Sequence, residues 1–151
     1  MNIVATMAAA DPRGSRSMQL LGIPSTDIDA VWPLVEPMLA AACRRGRDKD
    51  APEDVHRALK GGEMQLWLAW ENAVVALAVT EIVLHSRKTC CRIRFCTGRD
   101  RRSWQPAIAA IERWAKANGC GAMELIARPG WSRFLRHHGY ATTHFFCEKE
   151  L

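Results

Sequence analysis

At 151 residues the chain is long enough for one domain with a buried core, and its 48% hydrophobic and 25% charged residues exclude a disordered or fibrous protein. Lysine and arginine outnumber aspartate and glutamate by 21 to 16, a formal charge of +5, which favours anionic partners yet falls short of a protein that coats nucleic acid. No run approaches the roughly 18–20 apolar residues of a membrane span, and MNIVATMAAADPRG has no basic residue ahead of its short apolar part, so a soluble, non-secreted, cytoplasmic protein is expected.

Residues 1–17 have no amphipathic period and end in a Pro, Gly and Ser cluster, so they are expected to form an arm appended to a domain that spans 18–151. Ile28, Val31, Val35, Met38, Leu39 and Ala42 recur at helical spacing, with Ser25, Thr26 and Asp27 upstream as N-cap oxygens, which predicts a helix over about 27–45. Pro33 must then lie in its first turn or kink it. Asp50 and Glu53 form a D-x-x-E capping box around Pro52, and Gly61-Gly62 closes the second helix at about 51–60.

MQLWLAW (64–70) and AVVALAVTEIVLH (73–85) read as strands joined by a tight turn at Glu71-Asn72, the second apolar on both faces and therefore central. KTCCRIRFCTG (88–98) alternates, with Thr89, Cys91, Ile93 and Phe95 on one face and Lys88, Cys90, Arg92, Arg94 and Cys96 on the other. From Arg87 to Arg102 seven basic residues stand against one acid, Asp100. Trp104, Ile108, Ile111 and Ala115 form a helical stripe that begins near Ser103 and stops at Asn118-Gly119. A strand over 122–127, a short helix over 130–138 and a last strand over 140–150 complete an α+β order with a mixed sheet.

The six cysteines contain no CxxC pair and lie mostly in apolar strand-like runs, so reduced, buried thiols are expected and no disulfide framework. Cys90 and Cys91 are adjacent on a strand and point to opposite faces, so with Cys96 and His85 they do not converge, and no metal site is expected. Glu81, a carboxylate in an otherwise apolar strand, is the candidate general base, the plainer alternative being an ion pair with Arg92 or Arg94. His137 and His138, at a helix end, suit the dipole and read as structural.

The segments LWLAW (66–70), AVTEI (78–82), CTGRD (96–100), IERWAKANGC (111–120) and ARPGWSRFLRHHGY (127–140) resemble, in order and spacing, the GNAT superfamily of N-acetyltransferases. They are most similar to the small GNAT-like proteins of tailed bacteriophages. The resemblance implies a GNAT-like α+β fold, with a mixed, mostly antiparallel sheet and helices on both faces. It also implies an acetyl-CoA site at the end of the third of the strands that follow the two helices, at Cys96, Gly98, Arg99, Arg101, Arg102 and Ser103. There, backbone groups would hold the pantetheine arm and the loop the pyrophosphate, as exposed N–H groups at a helix N-terminus do.

The chain departs from the family pattern at three positions. Arg102 and Trp104 stand where the pyrophosphate loop has small residues, and Leu135 stands where a tyrosine commonly protonates the departing thiolate. Tyr140, the only tyrosine, occupies the aromatic position that closes the last helix. Two functions follow from the resemblance. One is a non-catalytic virion structural or assembly component that binds protein partners, either phage structural proteins or its own copies. The other is an acetyl-CoA-dependent N-acetyltransferase of an amine. Weak nucleic-acid binding through the basic stretch is a third, lesser expectation.

Overall fold

The computed structural model describes residues 7–8, 18–47, 49–99 and 106–151. In chain order the elements are β1 (Met7–Ala8), β2 (Gln19–Ile23), α1 (Ile28–Arg45), α2 (Pro52–Lys60), β3 (Met64–Trp70), β4 (Val74–Leu84), β5 (Thr89–Gly98), α3 (Pro106–Ala117), β6 (Ala122–Leu125) and α4 (Gly130–Arg136). Among the described residues the strands form one six-stranded sheet in that same order. Neighbours are antiparallel from β1 to β5, and β6 lies parallel to β5 after the α3 crossover. The α+β architecture with helices on both faces is therefore as expected.

One face is covered by α1 and α2. Leu66 and Leu68 of β3, Leu77 and Val79 of β4 and Phe95 of β5 pack on Val35 and Leu39 of α1 and on Val55 and Leu59 of α2. The other face carries α3, whose Ala107, Ala110 and Ile111 meet Leu20, Trp67 and Ala78. Central β4 thus supplies Leu77 and Val79 to one layer and Ala76 and Ala78 to the other, which explains its unbroken apolar run. The small residues on the α3 side let the helix approach. The Trp67 indole, 1% exposed, donates to Thr80 Oγ1 at 3.0 Å, and that hydroxyl donates to Gln65 Oε1 at 3.0 Å, so no buried polar atom of the trio is left unpaired.

Pro33 lies beyond the first turn of α1, and Pro37 one turn further on, in a helix that runs to Arg45 and buries Val35, Leu39, Ala42 and Cys43. Three sequence expectations need correction. The capping box does not form: Ala51 is the N-cap of α2, without a side-chain cap bond, and Asp50 instead accepts from Arg94. The face assignment of β5 changes halfway along, for the reason given in the next subsection. Residues 140–150 are not a strand; they run past the α1–α2 loop, where Glu148 pairs with Arg47 and Lys49, and Lys49 sits 4.6 Å from the Phe146 ring centroid. Threonine and phenylalanine favour strands only where a neighbouring strand pairs with them. Phe145 is 92% exposed.

The β3–β4 turn is as expected, with Asn72 in the left-handed region at φ 60°. Gly98 is fixed by crowding: a Cβ there would lie 2.3 Å from the Ala76 Cβ and 2.7 Å from the Val75 carbonyl oxygen. Gly98→Ala is therefore expected to lower stability by about 1–3 kcal/mol, read from the urea midpoint. An unchanged midpoint would contradict the crowding. Met7 and Ala8 pair with Leu20 and Gln19 in a ladder of two residues. A chain beginning at Met18 is expected to melt within roughly 2–4 °C of the full chain, the equivalent of about 1 kcal/mol at this size, whereas a fall of about 10 °C would make the arm part of the core.

Candidate active site

Strand β5 pairs with β6 only from Cys90 opposite Ala122 to Ile93 opposite Leu125, and then continues alone on that side through Gly98. At the same point it bulges. Phe95 faces Val79 and Ile93 faces Thr80, so Arg94 is an extra residue with no counterpart on β4. A bulge of this kind puts two successive side chains on one face and re-aims those that follow. Arg94 and Phe95 both turn to the α1/α2 face, while Ile93 and Cys96 both face α3. The expected grouping of Phe95 with Ile93, and of Cys96 with Arg94, is corrected accordingly.

Between the parted end of β5 and the helices α3 and α4 lies an apolar cleft lined by Ile93, Cys96, Ile108, Leu125, Trp131 and Leu135. The cleft is narrow and partly open, with about 30 Å³ accessible to water-sized groups. Burial pushes the Cys96 thiol up to about 12, so it is a neutral packing group and not a nucleophile. The Arg99 backbone N–H donates to the Val75 carbonyl at 3.0 Å, which takes it away from any phosphate. Of the expected cofactor residues, Cys96, Gly98 and Arg99 thus sit together at the end of β5, with Gly98 required by Ala76. Arg101, Arg102 and Ser103, with Trp104, lie outside the described residues.

On the opposite face of the sheet a row of charge crosses three strands. Glu81 Oε1 accepts from Arg94 Nη1 at 3.3 Å and from Arg92 Nη1 at 3.4 Å. Arg94 also holds both oxygens of Asp50, at 2.8 and 3.0 Å, and Arg92 holds Glu124 Oε1 at 2.6 and 2.9 Å. Burial opposes the charge on Arg94, but the carboxylates of Asp50 and Glu81 outweigh it and hold the guanidinium protonated. Burial likewise opposes the Glu124 carboxylate, yet hydrogen bonds from Arg92 and His85 hold it below the usual range. The row thus holds three carboxylates and two guanidinium groups, with His85 on the outer oxygen of Glu124. The plainer alternative raised by the sequence is seen here: Glu81 is ion-paired with both Arg92 and Arg94, each through Oε1.

Tyr140 is directed elsewhere. Its hydroxyl donates to Glu112 Oε1 at 2.9 Å, and burial together with that bond raises it well above the usual range. Leu135 is buried at the cleft. The His138 ring packs on Phe134, with centroids 4.9 Å apart. Asp50 and Glu124 escaped sequence reasoning. Glu124 carries the signal that singled out Glu81, a lone carboxylate in an apolar strand, whereas Asp50 reads as a helix cap.

No family model matches the chain, and no curated protein sequence does. Solved structures do match along nearly their whole length. A GNAT family acetyltransferase of Staphylococcus aureus aligns with TM-score 0.63 and 14% identity, over 89% of this chain and 98% of that one. A predicted acetyltransferase with acetyl-CoA from Clostridium acetobutylicum aligns with TM-score 0.63 and 14% identity, over 88% and 96%. An aminoglycoside acetyltransferase from an uncultured soil sample, in complex with sisomicin, aligns with TM-score 0.62 and 12% identity, over 88% and 97%. The chain has the GNAT fold.

Proposed function

We propose that the chain is an acyl-CoA-dependent N-acyltransferase acting on a cationic amine. The observation that carries this reading is the parting of β5 from β6 at the Arg94 bulge, which leaves the backbone of residues 94–98 open along one side beside an apolar cleft. An acyl-CoA supplies the activated thioester. Peptide-like amides of a pantetheine arm suit an unpaired strand edge, as added strands do. Trp131 and Leu135 on α4 line the apolar cleft that an acyl group would enter. Arg99 follows the last residue of β5, and the basic residues after it in sequence suit the pyrophosphate through guanidinium contacts, since Arg102 and Trp104 replace the small residues of a backbone cradle.

Glu81 is the base in this reading. The two arginines fix its Oε1, and the carboxylate accepts the proton of an ammonium. A neighbour in complex with sisomicin, which carries several amines, supports the substrate class. Acetyl-CoA is the natural acyl donor to try, since a neighbour is described with it.

Two observations favour a second reading, a non-catalytic protein that keeps the fold to bind a protein partner. Leu135 fills the position of the expected acid, and Tyr140 is committed to Glu112. Assignment to a phage virion rests on sequence resemblance alone.

Calorimetry separates the two. The first reading expects acetyl-CoA to bind with a Kd in the micromolar range, more weakly as salt rises, and Arg102→Ala to weaken it further. Absence of binding would favour the second. With a panel of amines and detection of the released thiol, Glu81→Gln is expected to lower kcat by about 100-fold or more, and Tyr140→Phe to leave it unchanged. Equal rates for Glu81→Gln and wild type would remove Glu81 from the chemistry.

A further inference from the structure

At the start of β5, away from the cleft, three metal-binding side chains from three different segments converge. His85 follows β4, Cys90 is on β5 and Glu124 is on β6, and one ligand atom from each lies within 4.8 Å of the others. We propose that His85, Cys90 and Glu124 form a site for a single Zn²⁺ ion.

The register explains the convergence. Val83 faces Cys90 across the β4–β5 ladder, and Arg92 faces Glu124 across β5–β6, so the side chains of residues 83, 90, 92 and 124 share one face of the sheet. His85, two residues beyond Val83, is held over the same face by its N–H bond to the Lys88 carbonyl at 2.9 Å. The donor set is the second argument. A thiolate, an imidazole and a carboxylate are the mixture that zinc accepts, and three protein ligands leave the fourth position of a tetrahedron open. His85 Nε2 and Glu124 Oε2 are 3.2 Å apart. Ligand atoms around zinc, with bonds of about 2.0–2.3 Å, stand roughly 3.3–3.7 Å from one another, so only small side-chain movements are required.

The surroundings fit. Arg92 occupies Glu124 Oε1 and leaves Oε2 on the His85 side, which is the outer-shell support that orients a ligating carboxylate. Cys90 is 4% exposed while the His85 side chain is 49% exposed, so an ion enters from the His85 side and reaches a thiol shielded from solvent. Zn²⁺ takes the place of the Cys90 thiol proton, which leaves to solvent, and two negative ligands balance the ion. Cys120, on the turn into β6, lies close enough to feel the charge of Cys90. Lys88 and Arg92 are the cations that the ion would have to tolerate.

The test is titration of Co²⁺ into the full, reduced, chelator-treated chain, followed by absorbance. The site expects one equivalent to bind with the visible bands of a tetrahedral centre and a thiolate-to-cobalt charge-transfer band, all displaced by one equivalent of Zn²⁺. Cys90→Ser is expected to remove the charge-transfer band and weaken binding about 100-fold, and His85→Ala to weaken it about tenfold or more. Cys147→Ser, at an exposed thiol, leaves the spectrum as it is. Circular dichroism checks the fold, and His85→Ala, at an exposed side chain, decides the matter if Cys90→Ser does not fold. No cobalt spectrum in the wild type, or the same spectrum and affinity in both Cys90→Ser and His85→Ala, would overturn the proposal, as would loss of the band in Cys147→Ser.

Discussion

The extra residue in β5 is the constraint on which the two sides of this molecule depend. A strand of strict alternation could not give Phe95 to the core under α1 and α2, Cys96 and Ile93 to the cleft beside α3, and Arg92 and Arg94 to the carboxylates of the charged row. Inserting Arg94 opposite the Val79–Thr80 step satisfies all three, because a shift of one residue exchanges the faces of everything beyond it. The same irregularity coincides with the end of the β6 pairing. The cleft, the inner face and the polar face are therefore consequences of one insertion.

The charged row accounts for that insertion energetically. Five partly buried ionic groups, Asp50, Arg94, Glu81, Arg92 and Glu124, satisfy one another across the α1–α2 loop and three strands. Each pair alone contributes little over apolar packing, but removing one member strands its partner in a poorly solvated place, at about 3–5 kcal/mol for fully buried pairs and less here. Such a row specifies geometry more than it adds stability. It pins the α1–α2 loop to β5 and holds Glu81 Oε1 between two guanidinium groups.

Much of the fold was legible because long, strongly periodic segments carry it: the stripe from Ile28 to Ala42, the unbroken run of β4, the stripe of α3 closed by Gly119. The bulge was not, since a period of two continues through CRIRFC whether or not a residue is skipped, and only the partner strand decides. Asp50 satisfied a local capping pattern and was taken by a stronger, distant guanidinium. The final segment had strand composition without a strand to pair with. At the site, Cys96, Gly98 and Arg99 fell where the resemblance put them, yet geometry gives two of them other work, Gly98 in admitting Ala76 and the Arg99 N–H in binding Val75. Likeness at 12–17% identity reads the scaffold and is silent on such exchanges.

The two departures from the expected catalytic set, Leu135 in place of an acid and a base that is already ion-paired, do not weigh equally. A departing thiolate has a pKa near that of a cysteine, about 8.5, and leaves at neutral pH with little help, so a hydrocarbon at Leu135 removes an assistance the reaction needs least. An alkylammonium, near 10.4, cannot attack until it has lost its proton, so the amine needs a base more than the thiolate needs an acid. In the acyltransferase reading proposed above, that step falls to Glu81. There the two arginines both contact Oε1 of its carboxylate. By the same physics a chain that bound acyl-CoA but lacked this row would bind the donor and leave the amine unactivated.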